Sequence, residues 1–494
     1  MSFSIAAFPA SRRALLLAAL VFFPPLGPAT AREGEAAAKP GCATQQEAVT
    51  THTQSRVAFT ARVGAICIGE GEKVQAEVGY VSFERVEKDG APRPLAFLFN
   101  GGPGAGSAWL ALGAASPWRL ALGEAPAPST PATTTDNAEN WLAFADLVFL
   151  DPPGAGIGRI LGDSDEARKT FWSSRGDIEA LAEAIRKWMA KHKRPDTRTF
   201  LVGESYGGYR AVKLARRLAE RENIGVAGLL LISPALDFSF IDNPRNLLSY
   251  AATLPSMAAS ARGAMERKDI ADVEAYAQGE YVADLVAGVK DRTRLERMSA
   301  NVARMLGLPI ETVLRFGARI DLHTFARERE RAAGRVLSVY DATVSGFDPD
   351  PYASASGWAD PVLDALRAPF GAAMTALLAG PLAAPMAEAR YEILNDDIAH
   401  RWDWGRGGRR GVEAVSDLRE ALALDPKLRV TIVHGLHDLV TPWFADKMLL
   451  DQLPNYGDPR RVRLETAAGG HMFYLRDDSR RRLRDIARDA IEGK

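Results

Sequence analysis

Thr199-Phe200-Leu201-Val202-Gly203-Glu204-Ser205-Tyr206-Gly207-Gly208 is the stretch whose reading decides the fold. Four apolar or β-favouring residues read as a strand. A serine follows, set between Gly203 and Gly207, and Arg210 to Leu218 then reads as a helix. This is the layout of a nucleophile elbow. The turn is tight enough to need glycine on both sides, and it points the hydroxyl out at the top of a sheet. An ordinary serine-capped βα turn has a similar look, so the rest of the chain must decide between them.

Working outward, strand and helix signals alternate. Val57–Ala61 and Glu77–Phe83 read as strands with period-two alternation. Leu95–Phe99 and Leu147–Leu150 are short, wholly apolar runs, as expected of strands buried on both faces. The first ends in the glycine-rich loop Asn100-Gly101-Gly102-Pro103-Gly104-Ala105-Gly106-Ser107. The second ends in Asp151-Pro152-Pro153-Gly154-Ala155-Gly156. Ile178–His192 reads as an amphipathic helix and Ala227–Ile232 as another buried strand. The rhythm predicts an α/β fold: a mostly parallel sheet flanked by helices, with its site at the carboxyl edge. From about Asp237 to Asp425 the pattern turns mainly helical, broken at Pro349-Asp350-Pro351 and Gly380-Pro381. It then resumes with strands at Leu428–Val433 and Arg461–Glu465 and helices at Pro442–Leu453 and Asp477–Ile491. The simplest organisation is a core in two parts, 32–236 and 426–494, with a helical cap inserted at 237–425. No repeat, heptad seam or low-complexity tract interrupts it.

The chain has 494 residues, 47% apolar and 25% charged, enough for a large core. Its 61 basic residues balance 62 acidic ones. No global basic excess favours nucleic acid or an anionic membrane as a partner. At the N-terminus, Arg12-Arg13 precedes the apolar run Ala14–Phe23, followed by Pro24, Pro25, Gly27 and Ala29-Thr30-Ala31. This reads as a signal peptide over 1–31, with a mature start near Arg32 and a disordered lead over Glu33–Pro40. The run is too short to span a bilayer, and no later stretch supplies a membrane anchor. The expected location is periplasmic or extracellular. The only cysteines, Cys42 and Cys67, could close one loop in an exported protein or remain free thiols.

If Ser205 is a nucleophile, it needs a base and a group that orients the base. In elbow architectures these follow in the order Ser, Asp or Glu, His, on loops after later strands. Two loops qualify: His434-Gly435-Leu436-His437-Asp438 and Ala467-Ala468-Gly469-Gly470-His471. His471 would accept the hydroxyl proton, and Asp438 would hold its tautomer. His434 and His437 share Asp438's own loop and read as structural. A metal reading of His-x-x-His-Asp lacks a further ligand cluster, and no phosphate-loop or zinc pattern occurs, so neither metal nor cofactor is expected. Four glycines in the Asn100–Ser107 loop would let a backbone N–H join that of Tyr206 in an oxyanion hole. Its spacing does not fit a dinucleotide-binding loop.

Asn100-Gly101-Gly102-Pro103-Gly104, Gly203-Glu204-Ser205-Tyr206-Gly207-Gly208, Asp438 within Gly435–Pro442, and Gly470-His471-Met472 together resemble the signatures of the serine carboxypeptidase family of α/β-hydrolases. Asn140-Trp141 and Asp151–Gly156 resemble two supporting motifs. The resemblance runs in order from about residue 95 to 475. It implies hydrolysis of the C-terminal peptide bond of a peptide with a free C-terminus, by a Ser205, Asp438, His471 triad. It implies oxyanion N–H groups from Gly102 and Tyr206, and a substrate carboxylate held by Asn100 and Glu204. The chain departs from the family at Leu98 (often Trp), at Ala105-Gly106-Ser107 (often Cys-Ser-Ser), and at Ala114, where a glutamate commonly pairs with the one before the serine. The carboxylate clamp is therefore thinner than usual. Serine acylation does not specify what accepts the acyl group, so an esterase or acyltransferase on the same scaffold is the alternative. A binding protein on an inactive hydrolase fold would need none of these residues.

Overall fold

Ten strands form the main sheet of the protein, seen here in a computed structural model. It describes residues 47–493, apart from 55–56, 70–73, 87–92, 124–126, 162–164, 355–356 and 385–389. The stretch 1–31 expected to be a signal peptide, the lead after it and Cys42 lie outside the described residues. The described residues belong to one compact unit, Pro40–Lys494. The strands are β1 Ala48–Gln54, β2 Val57–Ile68, β3 Ala76–Arg85, β4 Leu95–Phe99, β5 Asp146–Asp151, β6 Arg159–Ile160, β7 Thr199–Glu204, β8 Val226–Ile232, β9 Arg429–Gly435 and β10 Val462–Ala467. Their spatial order is β1-β2-β3-β5-β4-β7-β8-β9-β10, with β6 paired to β3. β1, β2 and β3 pair antiparallel at one side. From β5 to β10 every ladder is parallel. All the parallel strands thus end at one edge, and the glycine-rich loops emerge there.

The apolar runs explain the burial. β4 is buried at every position, and its residues alternate between the two faces. Ala96 and Leu98 join a cluster with Phe149, Val202 and Trp141 on one face. Leu95, Phe97 and Phe99 join Leu201, Leu231 and Trp188 on the other. A strand with both faces covered has no polar side, which is why its sequence shows no alternation. The helix Ser174–Lys191 covers the second face. Its buried Ile178, Leu181, Ile185 and Trp188 recur at helical spacing, and Ser173 caps its start by accepting from the Gly176 N–H at 3.0 Å.

Between β8 and β9 the chain is mainly helical, including Leu247–Arg262, Arg292–Leu306, Leu363–Ala379 and Val415–Leu424. Among its described residues the strand elements are the antiparallel pair Arg335–Leu337 and Ser345–Phe347. This segment does not pack as one lobe. Residues 251–326 build their own cluster with Leu436, Leu439 and Trp443. Leu366, Phe370 and Met374 instead pack into the first sheet face, and Leu418 and Leu422 into the second. Cys67, in β2, is disulfide-bonded.

Candidate active site

Ser205 sits at the end of β7 with φ 60° and ψ −126°, a backbone conformation that costs about 1–3 kcal/mol and needs support. The support is visible. Ser205 N–H donates to Ile232 O at 3.0 Å, and Ser205 O accepts from Ala235 N–H at 3.0 Å, so the turn is tied to the end of β8. A Cβ at Gly203 would lie 2.0 Å from Gly207 O, so only glycine allows the strand and the helix start to approach this closely. The helix Tyr206–Arg217 begins directly after the serine. The loop after β4 presses on the same turn: a Cβ at Gly101 would lie 2.5 Å from Tyr206 N. That approach puts the Asn100–Gly102 backbone beside the Tyr206 N–H. Asn100, Gly101, Gly102, Ser205, Tyr206 and His471 all line one pocket at the carboxyl edge.

The loop after β10 delivers His471, whose Nδ1 is 2.8 Å from Asp438 Oδ2. Asp438 Oδ1 accepts from the Val440 and Thr441 N–H groups at 2.8 and 3.0 Å, and the Thr441 hydroxyl lies 2.7 Å from Oδ2. With Asp438 accepting at Nδ1–H, Nε2 is left as the base nitrogen. The Tyr340 ring stands edge-on to His471 at 5.3 Å, and Tyr340 O accepts from the His471 N–H. Burial works against a charged His471, but the Asp438 carboxylate, its hydrogen bond and Glu204 outweigh it and raise the pKa above the ordinary histidine value. No hydrogen bond joins Ser205 to His471 among those formed by the described residues, though both line the pocket.

The other two histidines of the Asp438 loop are placed elsewhere. His437 Nδ1 accepts from Gly469 N–H at 3.2 Å, so its Nε2–H donates to Ala264 O at 2.7 Å. Burial lowers its pKa, and it is held neutral between two backbone groups. His434 is fully buried, with Nε2 2.9 Å from Asp446 Oδ2. Neither lines the pocket.

Asn100 Nδ2 donates to Glu204 Oε2, and its Oδ1 accepts from the Leu110 N–H at 3.1 Å. Glu204 is 3% exposed. Burial is the main cause that pushes its pKa up to about 7, with Asp438 adding to it and His471 and Tyr474 opposing. Sequence reasoning did not single out Tyr474, whose hydroxyl donates to Glu204 Oε1 at 2.8 Å. Its ring lies against the chain at Gly113, where a Cβ would be 2.5 Å from it. A neutral phenol therefore reaches Glu204 from beside Ala114, the position where the family commonly has a second glutamate. Tyr474 lies three positions after His471, but nothing in that spacing marks a partner for Glu204.

Two further supports hold the loop: Arg210, which sequence reasoning missed, and Asp151, which it placed in a motif without assigning a partner. Arg210, 1% exposed on the elbow helix, bonds Asp177 at 2.8 and 3.1 Å and donates to Asn100 O. Buried Asp151 accepts from Ser107 N–H and Oγ–H at 2.7 Å each, from Tyr391 at 2.9 Å and from Ile157 N–H at 3.0 Å. Both ends of the Asn100–Ser107 loop are thereby pinned by charged side chains. Arg210→Met would leave Asp177 buried without its cation and is expected to destabilise the fold by about 3–5 kcal/mol. Chemical denaturation checks this, and adding Asp177→Leu should recover part of the loss. An unchanged unfolding midpoint in Arg210→Met would contradict the assignment.

The serine carboxypeptidase family model matches residues 54–300. That span holds Asn100 and Ser205, while Asp438 and His471 lie beyond it. Serine carboxypeptidase-like 13 of Arabidopsis thaliana is 29% identical over 183 residues, covering 36% of this chain and 40% of the relative. Serine carboxypeptidase-like 2 of the same plant is 27% identical over 207 residues, covering 40% and 45%. The alignments thus span less than half the length of these curated relatives. A prohormone-processing carboxypeptidase from Saccharomyces cerevisiae superposes with a TM-score of 0.58 at 14% identity, over 91% of this chain and 96% of that one, and shows the same fold. With half of its length matched by the family model, this chain belongs to the serine carboxypeptidase family.

Proposed function

We propose that the protein is an exported serine carboxypeptidase that removes the C-terminal residue of peptides. The observation that carries the reading is the buried Asn100–Glu204 pair, which lines the same pocket as Ser205 and His471. A peptide's terminal carboxylate at Asn100 and Glu204 would place its last amide bond over Ser205. Ser205 Oγ attacks the carbonyl carbon, and its proton passes to His471 Nε2. The N–H groups of Gly102 and Tyr206 receive the oxyanion. His471 then protonates the leaving amine, and the C-terminal amino acid departs. Water, deprotonated by His471, hydrolyses the acyl-serine. Asp438 accepts from Nδ1–H and stabilises the imidazolium. In this reading residues 237–425 act as the cap, since Phe238, Tyr340 and Leu363 help to line the pocket.

The deciding assay offers an N-blocked dipeptide with a free carboxylate and the matching amide and ester. Release of free amino acid from the first supports the carboxypeptidase. Cleavage of the ester alone would favour an esterase, the reading that Ala114 in place of a glutamate leaves open.

The Glu204 pKa of about 7 gives a pH expectation. Below it Glu204 carries a proton and can donate to the substrate carboxylate. Above it two carboxylates face each other, and binding weakens. KM for peptide acids should be flat in mild acid and climb as pH passes about 7, while KM for blocked esters stays level. Glu204→Gln should flatten the acid profile, because its amide donates without titrating. Parallel acid and ester profiles in the wild type would show that Glu204 does not read the carboxylate. The raised pKa also bears on stability. The unfolded chain releases this proton near the ordinary glutamate value, so the contribution is full below that value and is lost as pH rises through about 7.

Export predicts a mature N-terminus near Arg32 in the periplasmic or secreted fraction. Among the described residues no helix is long and apolar enough to cross a membrane. N-terminal sequencing of the protein recovered outside the cytoplasm tests the cleavage, and soluble cytoplasmic protein retaining Met1 would refute it.

A further inference from the structure

Among the described residues that line the active-site pocket, Arg409 is the one arginine or lysine. It lies in the glycine- and arginine-rich stretch Gly405-Arg406-Gly407-Gly408-Arg409-Arg410-Gly411. Its guanidinium rests over the ring of Phe238 at 5.6 Å and that of Trp404 at 6.0 Å, and those two rings pack on each other at 5.0 Å. Such stacking orients an arginine while leaving its N–H groups unspent. Among the described residues no carboxylate forms an ion pair with it, whereas Arg210, Arg216, Arg327 and Arg367 each have one. Asp242, Tyr340 and Arg410 are its charged or titratable neighbours, and Arg410 donates to the backbone of Asp242. Arg409 is solvent-exposed, yet enough protein packs around its guanidinium that desolvation lowers its pKa.

Sheet order says which part of a substrate meets it. β7, which ends at Ser205, lies between β4 and β8. Asn100, which donates to Glu204, follows β4; Tyr474, from the segment after β10, meets Glu204 with its ring packed against Gly113 in the segment after β4. Phe238, on which Arg409 rests, follows β8. A peptide with its terminal carboxylate on the β4 side and its scissile bond at Ser205 sends its acyl part toward β8. We infer that Arg409 is a specificity residue that receives a carboxylate of the substrate, namely the acidic side chain of the residue preceding the scissile bond. The inference rests on the carboxypeptidase reading of the pocket and names its preferred substrate class: peptides with Asp or Glu next to last.

The test compares N-blocked Glu-Phe, Gln-Phe and Lys-Phe at pH 6. There a glutamate side chain is ionised and Glu204 keeps its proton. Wild-type kcat/KM should favour Glu over Gln by about tenfold or more, the scale of a charge-assisted hydrogen bond. Arg409→Gln should bring that ratio to about one with Gln-Phe turnover retained, and Arg409→Glu should favour Lys over Glu. A merely structural role would lower all three substrates alike and leave the ratio unchanged. A wild-type ratio near one, or one that survives Arg409→Gln, overturns the assignment. If Arg409→Gln raises KM equally for Glu-Phe and Gln-Phe but spares a blocked ester, Arg409 holds the terminal carboxylate instead, and the acyl-side assignment fails. Protection of Ser205 from a fluorophosphonate label gives a readout independent of peptide cleavage. Blocked Glu-Phe should protect at about tenfold lower concentration than Gln-Phe in wild type only, and equal protection overturns the inference. Absence of cleavage with labelling intact would refute the carboxypeptidase reading, while the protection ratio would still decide Arg409.

Discussion

Ser205→Ala is expected to lower kcat/KM by about 10⁴-fold or more while the fold survives, as losses of an acylating serine do. The change removes one oxygen and keeps Cβ, so the backbone at φ 60° meets no new steric demand. The bonds that hold the turn, Ser205 N–H to Ile232 O and Ala235 N–H to Ser205 O, involve main chain alone and persist. Catalysis therefore separates from folding in this variant. Circular dichroism and the unfolding midpoint should match wild type, and fluorophosphonate labelling should vanish. Residual activity within tenfold of wild type would remove Ser205 from the role of nucleophile.

The second large effect concerns the choice among three histidines. His471→Ala should be as damaging as Ser205→Ala, and Asp438→Asn should cost about 10⁴-fold by presenting the wrong hydrogen-bonding partner to Nδ1. His437→Ala should spare catalysis far more. Its two ring nitrogens are engaged with Gly469 N–H and Ala264 O, and it has no place in the pocket. Losing it leaves buried backbone groups unpaired, so the expected cost is in stability, about 1–3 kcal/mol per group. Measuring kcat/KM and the unfolding midpoint for all three variants separates the two kinds of loss. If folded His437→Ala is as inactive as His471→Ala, the base has been misassigned.

The fold was readable because its signals are local. A strand covered on both faces must be apolar throughout, so Leu95–Phe99 and the run before Ser205 announce themselves. The edge pieces Ala48–Gln54 and Arg159–Ile160 did not, since their pairing partners rather than their own composition make them strands. The division of labour in the inserted segment was also invisible. Leu366, Phe370 and Met374 look like any apolar helix face until it is known which sheet face they cover.

At the site, the sequence by itself determined the elbow, the glycine loop and the candidate acid and base. Glycine at a close approach, and Asp and His on loops at the ends of later strands, are demands of local geometry and chain order. Tertiary structure alone decided who holds these groups. Tyr474 reaches Glu204 across 270 residues, Tyr391 reaches Asp151 across 240, and Arg210 joins Asp177 to the backbone of Asn100 across 110. Arg409 comes to rest on Phe238 by the same means. A phenol or guanidinium carries no mark in sequence of the carboxylate it will meet. Its partner is set by which loops the sheet order brings to one edge, and its pKa or role by how much water that packing removes.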